Sequence, residues 1–150
     1  MRDAITEGMK AAMKAGDKRR TATLRAISAA IKDKDIEARG QGRGPLGEEE
    51  ILQLLQKMVK QREESLGIYE KAGRDDLAAV EREEIAILGE FLPQGLTPAE
   101  VEAAIAAAIA STGAAGPKDM GKVIAALKAD YPGRIDFGKV AGQVRAALGA

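Results

Sequence analysis

The sequence predicts an all-α protein, and three observations lead there. Apolar residues recur at i, i+3, i+4 and i+7 along successive stretches, the period of a helix with one buried face. No segment alternates apolar and polar residues with the period of a strand. Aromatic residues are only 3% of the chain, so the core must be assembled from Ala, Leu, Ile, Val and Met, which suits helices packed at close range. Within 150 residues the pattern divides into an N-terminal helical domain over 1–92, dominated by two hairpins, and a small three-helix bundle over 97–150.

Residues 3–15 place Ile5, Met9, Ala12 and Met13 on one face of a short amphipathic helix. Gly16 then stands where a helix ends in left-handed geometry, and Asp17 caps the next helix. In that helix Leu24, Ile27 and Ile31 face inward. Lys18, Arg19, Arg20, Arg25, Lys32 and Lys34 cover the remaining surface, where they form either a solvated helix face or a track for a phosphate backbone. Residues 39–47 read RGQGRGPLG, too rich in glycine for regular structure, and predict a mobile loop. Arg39 and Arg43 between glycines have the pattern of a very short RNA-binding arginine–glycine tract, although a plain loop accounts for them more simply. Glu48, Glu49 and Glu50 follow in the first turn of the next helix, where the helix dipole favours acids.

The stretch from Gln56 to Leu96 predicts two long helices joined by a tight turn at Ala72-Gly73 and ending at Pro93. Ile51, Leu55, Met58, Leu66 and Tyr69 share one face of the first. Leu77, Val80, Ile85, Leu88, Phe91 and Leu92 form the apolar stripe of the second. Arg62 lies in the middle of the first face, and Glu81 and Glu84 lie inside the second. A charge in an apolar stripe costs several kcal/mol unless it finds a partner, so Arg62 is expected to meet Glu81 or Glu84 across the hairpin. The simpler role for this trio is a structural ion pair that fixes helix register. The sharper one is a polar cleft with paired carboxylates as acid and base, for which no nucleophile lies nearby in sequence.

After Pro93-Gln94-Gly95-Leu96 the composition shifts. Thr97-Pro98-Ala99-Glu100 is a capping box with Pro at the first helical position, and Val101, Ile105 and Ile109 line the buried face of the Ala-rich helix that follows. Residues 112–116 read as loop. Pro117 opens a second helix, with Met120, Val123, Ile124 and Leu127 inward. Pro132-Gly133 makes a turn. Asp136 caps the last helix, Ile135 and Val140 form its hydrophobic staple, and Val140, Val144 and Leu148 face the core. Gly121-Lys122 at the start of the second helix suits an anion, because free amides there attract negative charge. Lys118, Lys122, Arg134 and Lys139 are the cations placed to gather around it. Gly121 either admits a phosphate or lets a neighbouring helix come close. The spacing is not that of a phosphate-binding loop, which needs G-x-x-x-x-G-K-[ST].

The chain contains neither Cys nor His. That removes thiol chemistry, disulfides, the common zinc and iron ligand sets, and Ser–His or Cys–His nucleophile pairs. No cofactor or metal is expected, and no catalytic residue is assigned. The N-terminus is amphipathic without a continuous apolar run, which predicts no secretory signal. No apolar run approaches the ~18 residues of a membrane span, and the expected location is cytoplasmic. Net charge is zero but segregated. Residues 1–34 carry nine Lys or Arg against four Asp or Glu, whereas residues 48–96 carry six against twelve. The basic N-terminal region is therefore the part suited to an anionic partner.

The pattern Lys60-Gln61-Arg62, Tyr69, Ala72-Gly73-Arg74, Asp76-Leu77-Ala78, Glu81, Glu84-Ile85 and Phe91-Leu92-Pro93 resembles the YqeY family. Leu24-Arg25 and Asp119-Met120-Gly121-Lys122-Val123 extend the resemblance over nearly the whole chain. That family is similar to the C-terminal tail of GatB, the tRNA-binding subunit of the glutamine-dependent aspartyl/glutamyl-tRNA amidotransferase. The resemblance implies a tRNA-binding accessory protein, with Lys118, Gly121, Lys122, Arg134, Lys139, Arg19, Arg20 and Arg25 as the candidate contacts. It also carries the label of a carbon–nitrogen ligase with glutamine as amido donor. The larger enzyme needs a Ser–Ser–Lys glutaminase and an ATP-using core. This chain has only Ser28, Ser65 and Ser111, none beside another, and no nucleotide loop. The alternative is a protein–protein adaptor docking on a larger complex through the acidic residues 48–90 or the Ala-rich bundle. A small enzyme using Arg62, Glu81 and Glu84 is the third reading. With so few aromatics, RNA contact is expected to read shape and phosphates rather than bases.

Overall fold

The computed structural model describes residues 1–149, and among them it is all-α, with no strand. The helices are α1 (Arg2–Ala15), α2 (Lys18–Gly40), α3 (Glu48–Lys71), α4 (Asp75–Gly89), α5 (Pro98–Thr112), α6 (Met120–Asp130) and α7 (Phe137–Ala147), with a 3-10 turn at Pro117–Asp119. The chain divides into two compact units, one covering Met1–Leu92 and a second beginning at Pro93.

In the first unit, α1 packs on α2, α3 packs on α4, and α2 touches both α3 and α4. Local chemistry makes the corners. Gly16 adopts φ 72 at the end of α1, and Asp17 N–H returns to Ala12 O at 3.0 Å. The Asp17 carboxylate accepts the Arg20 N–H at 3.0 Å, which caps α2. Gly73, at φ 71, turns α3 into α4 as Arg74 N–H closes on Tyr69 O at 2.9 Å. The core gathers Ile5, Ala12, Leu24, Ile27, Ile31, Ile51, Leu55, Met58 and Leu88. Each fully buried aliphatic side chain contributes roughly 1.5–3 kcal/mol relative to exposure.

Four local readings of the sequence need correction. Met13 is 53% exposed, because the last turn of α1 turns Ala12 rather than Met13 into the core. Arg39 belongs to the last turn of α2 rather than to the loop, since α2 runs on to Gly40. Helix α4 stops at Gly89, and residues 90–92 taper into i→i−3 hydrogen bonds. Pro117 opens a 3-10 turn, and α6 begins only at Met120.

The Gly-rich connection between α2 and α3 is tethered at both ends. Arg2 donates two hydrogen bonds of 2.8 Å to the Asp35 carboxylate and one of 3.0 Å to Leu46 O. Leu46 N–H returns to Asp35 Oδ1 at 2.9 Å, and the Leu46 side chain packs against the core. Arg43 donates to Glu50 at 2.7 Å. Residues 41–45 lie outside the helices and the core, and within them the Arg43 N–H also returns to Ala38 O at 2.9 Å.

In the second unit, Thr97 and Glu100 exchange hydrogen bonds of 3.1 and 3.2 Å at the head of α5. Gly113, at φ 67, ends α5. Asp136 accepts the Gly138 and Lys139 N–H groups and caps α7. Ala104, Ile105, Ala108, Val123, Leu127, Ile135, Val140, Val144 and Leu148 form a separate core. Its alanines let α5 lie close to its neighbours.

Candidate nucleic-acid interface

The start of α6 is built by the turn before it. Pro117 fixes a 3-10 turn, and the Asp119 carboxylate, 17% exposed, accepts the Ala115 N–H at 2.9 Å. That hydrogen bond, more than the nearby Lys122, holds Asp119 below the usual carboxylate range. Lys122 reaches Asp119 at 3.8 Å yet is 70% exposed, so its ammonium stays available to solvent. Lys118 is exposed beside it on the turn. A methyl group added at Gly121 would meet nothing within 4 Å. Close helix packing therefore does not account for Gly121, and the backbone there is open. Asp119 works against an anion at this end, while Lys118, Lys122 and the bare backbone work for one.

The other cations of this unit have separate tasks. Arg134 Nε donates to Gln94 O at 2.9 Å, and Leu96 N–H donates to Arg134 O at 3.0 Å. Arg134 thereby ties the incoming strand of chain, residues 94–96, to the turn before α7. Its guanidinium also lies 5.9 Å from the Tyr131 ring centroid, and Lys128 Nζ lies 5.6 Å from that of Phe137. Both aromatics of the unit are thus covered by a cation rather than open to stack a base. Lys139 is exposed at the head of α7 and forms no ion pair among the described residues.

In the first unit the three arginines differ. Arg19 pairs with Glu83 at 3.3 Å, and Arg20 donates to Glu90. They tie α2 to α4 and to the residue that caps its end, which makes them less available to a phosphate, since an incoming anion must displace a carboxylate. Arg25 is exposed and makes no ion pair among the described residues. It lines a shallow depression at the α1–α2 corner with Met13, Lys18 and Thr21. Sequence reasoning did not identify Glu83 and Glu90 as the partners, because they lie far away in the chain.

Arg62, Glu81 and Glu84 come together between α3 and α4. Arg62 Nε donates to Glu84 Oε2 at 2.8 Å, with the two side chains 18% and 22% exposed. Arg62 Nη1 also donates to Met58 O at 3.3 Å. Glu81 is the member left over. Its Oε2 is buried without a hydrogen-bond partner. Burial first, and the charge of Glu84 second, push its carboxyl above the usual range, with Arg62 pulling the other way. Among the described residues, no group of three or more acidic, His or Cys side chains is arranged to hold a metal ion. Nor is any helix long and apolar enough to cross a membrane.

A groove runs between α5 and α7, lined by Pro98, Glu102, Ile105, Ala106, Ile109 and Gln143 among others. The sequence marked α5 as Ala-rich but gave no sign of a groove. A groove depends on how two helices distant in sequence sit together, which no local pattern records.

The fold and these surfaces define a small all-helical protein that offers exposed cations from each of its two units. The chain belongs to the Yqey-like protein family, whose model matches residues 2–148. It is similar to "Altered inheritance of mitochondria protein 41, mitochondrial" of Lachancea thermotolerans, at 34% identity over 98 residues, covering 65% of this chain and 51% of that protein. The protein of the same name from Eremothecium gossypii is 33% identical over 88 residues, covering 59% of this chain and 46% of the relative. That from Kluyveromyces lactis is 32% identical over 88 residues. The chain thus spans about half the length of the curated relatives it matches.

Proposed function

We propose that this chain is a tRNA-binding accessory protein, related to the glutamine-dependent aminoacyl-tRNA amidotransferase and without a catalytic centre of its own. The observation that carries the reading is the head of α6, where Lys118 and Lys122 flank the open backbone of Gly121. The family's similarity to the tRNA-binding tail of the amidotransferase supports it, because Gly121 and Lys122 lie within the stretch that carries the resemblance, with Lys118 just before it. The covered rings of Tyr131 and Phe137 favour contact with phosphates and the shape of a folded RNA over base stacking. In the first unit Arg25 and Lys18 are the better-suited cations, since Arg19 and Arg20 are held by acids. Cytoplasmic residence goes with the proposal, while the relatives' names place those proteins in mitochondria.

The adaptor reading has one observation in its favour, the largely apolar groove between α5 and α7, since apolar grooves are where amphipathic helices dock. An electrophoretic shift of tRNA at several salt concentrations separates the two. Phosphate contact gives a shift that weakens steeply with salt. An adaptor gives no shift, and pull-down with the full chain enriches one protein complex.

A further inference from the structure

The α3–α4 hairpin holds one guanidinium and two carboxylates. Glu81 precedes Glu84 by three residues, so the two stand one turn apart on the same side of α4. Arg62 spends its Nε on Glu84 at 2.8 Å and its Nη1 on Met58 O at 3.3 Å. The buried Oε2 of Glu81 receives nothing. A carboxylate oxygen so placed keeps its full desolvation cost. The cost is relieved either by a share of Arg62, which weakens the hold on Glu84, or by a proton, which removes the charge.

We propose that Arg62 is a clamp contested by two carboxylates of α4, held by Glu84 and sought by Glu81, and that gain or loss of one proton on Glu81 tightens or loosens the α3–α4 hairpin. The charged groups bearing on Glu81 are Glu84 of its own helix and Arg62 of α3. Helix α2 also packs on α4, but its Arg19 and Arg20 are engaged by Glu83 and Glu90. Burial and Glu84 both raise the proton affinity of Glu81 in the fold. The folded chain then holds this proton at pH values where the unfolded chain has released it. The contribution to stability is complete below the ordinary carboxylate range and shrinks as pH rises through the raised folded value. The hairpin is therefore tighter on the acid side of that window.

The test is a titration of glutamate side-chain carboxyl carbons by NMR in the full chain from about pH 4 to about pH 8, repeated with Glu81→Gln and Glu84→Gln. One glutamate should titrate above the others in the wild type. That titration should vanish in Glu81→Gln and fall back toward the ordinary range in Glu84→Gln, where the repelling charge is gone and Arg62 is free to turn. The wild-type melting temperature should drop as pH rises through the window, and Glu81→Gln should abolish that drop. All glutamates titrating together, or a high-titrating carboxyl that survives Glu81→Gln, overturns the proposal. If Glu84→Gln fails to fold, Glu81→Gln alone decides, because it leaves the Arg62–Glu84 hydrogen bond in place and removes the group that would titrate.

Discussion

Removing the Arg62 guanidinium strands a carboxylate that is largely out of water. Breaking a fully buried pair from one side costs about 3–5 kcal/mol. Arg62 and Glu84 keep 18% and 22% exposure, so Arg62→Ala is expected to cost less, about 2 kcal/mol, read by chemical denaturation. Arg62→Met with Glu84→Leu should recover most of the loss, since an apolar pair of similar volume needs no desolvation. A different carboxylate governs acid behaviour. Hydrogen bonds from Arg2, and then from Leu46 N–H, lower the Asp35 carboxyl from 3.8 to about 2. A depressed carboxyl stabilises the fold above its unfolded value and loses that contribution as pH falls through the folded one. The Leu46 anchor should thus release between about pH 4 and about pH 2, seen as faster exchange of the Leu46 amide, and Asp35→Ala, which removes the acceptor of the Leu46 N–H, should bring that release to neutral pH.

At the scale of elements, the anchored loop sets where a protease enters. Residues 41–45 are the exposed, Gly-bearing part of the α2–α3 connection, and such tips are cut first. Limited proteolysis should nick there and leave the Leu46 side intact, whereas Arg2→Ala should extend cleavage toward Gly47. Resistance of 41–45 in the free chain would contradict this. The helices were legible in the sequence because their signals are local. Asp17, Thr97 and Asp136 cap within three residues of themselves. The Arg2–Asp35 tether joins residues 33 apart, and no window of a helix period contains both. Arg62 stood out in an apolar stripe, but the choice between Glu81 and Glu84 was not legible, since one turn of α4 separates them. Long separation in sequence likewise hid Glu83 and Glu90 from Arg19 and Arg20. The openness of Gly121 depends on where helices do not pass, which no local pattern records.

For the molecule as a whole, electrostatics decides how an anionic partner is met. Net charge is zero, so attraction to RNA must come from local exposed cations rather than from the sum. Lys122 is the one at the head of α6 that can be removed at little cost, because it is 70% exposed and its contact with Asp119 spans 3.8 Å. Lys122→Ala should leave the melting curve within about 0.5 kcal/mol of the wild type. It should weaken every tRNA about equally, because phosphate contacts carry no sequence information. The most direct measurement is the affinity of the full chain for tRNA across salt from about 50 to about 200 mM, for the wild type and Lys122→Ala. The expected result is binding that weakens linearly in log–log form, with a slope shallower by about 0.7–0.9 in the variant, one phosphate's worth. Absence of any tRNA shift at the lowest salt, where screening is weakest, would contradict RNA binding and favour the adaptor, while an unchanged slope in Lys122→Ala would remove the head of α6 from the interface.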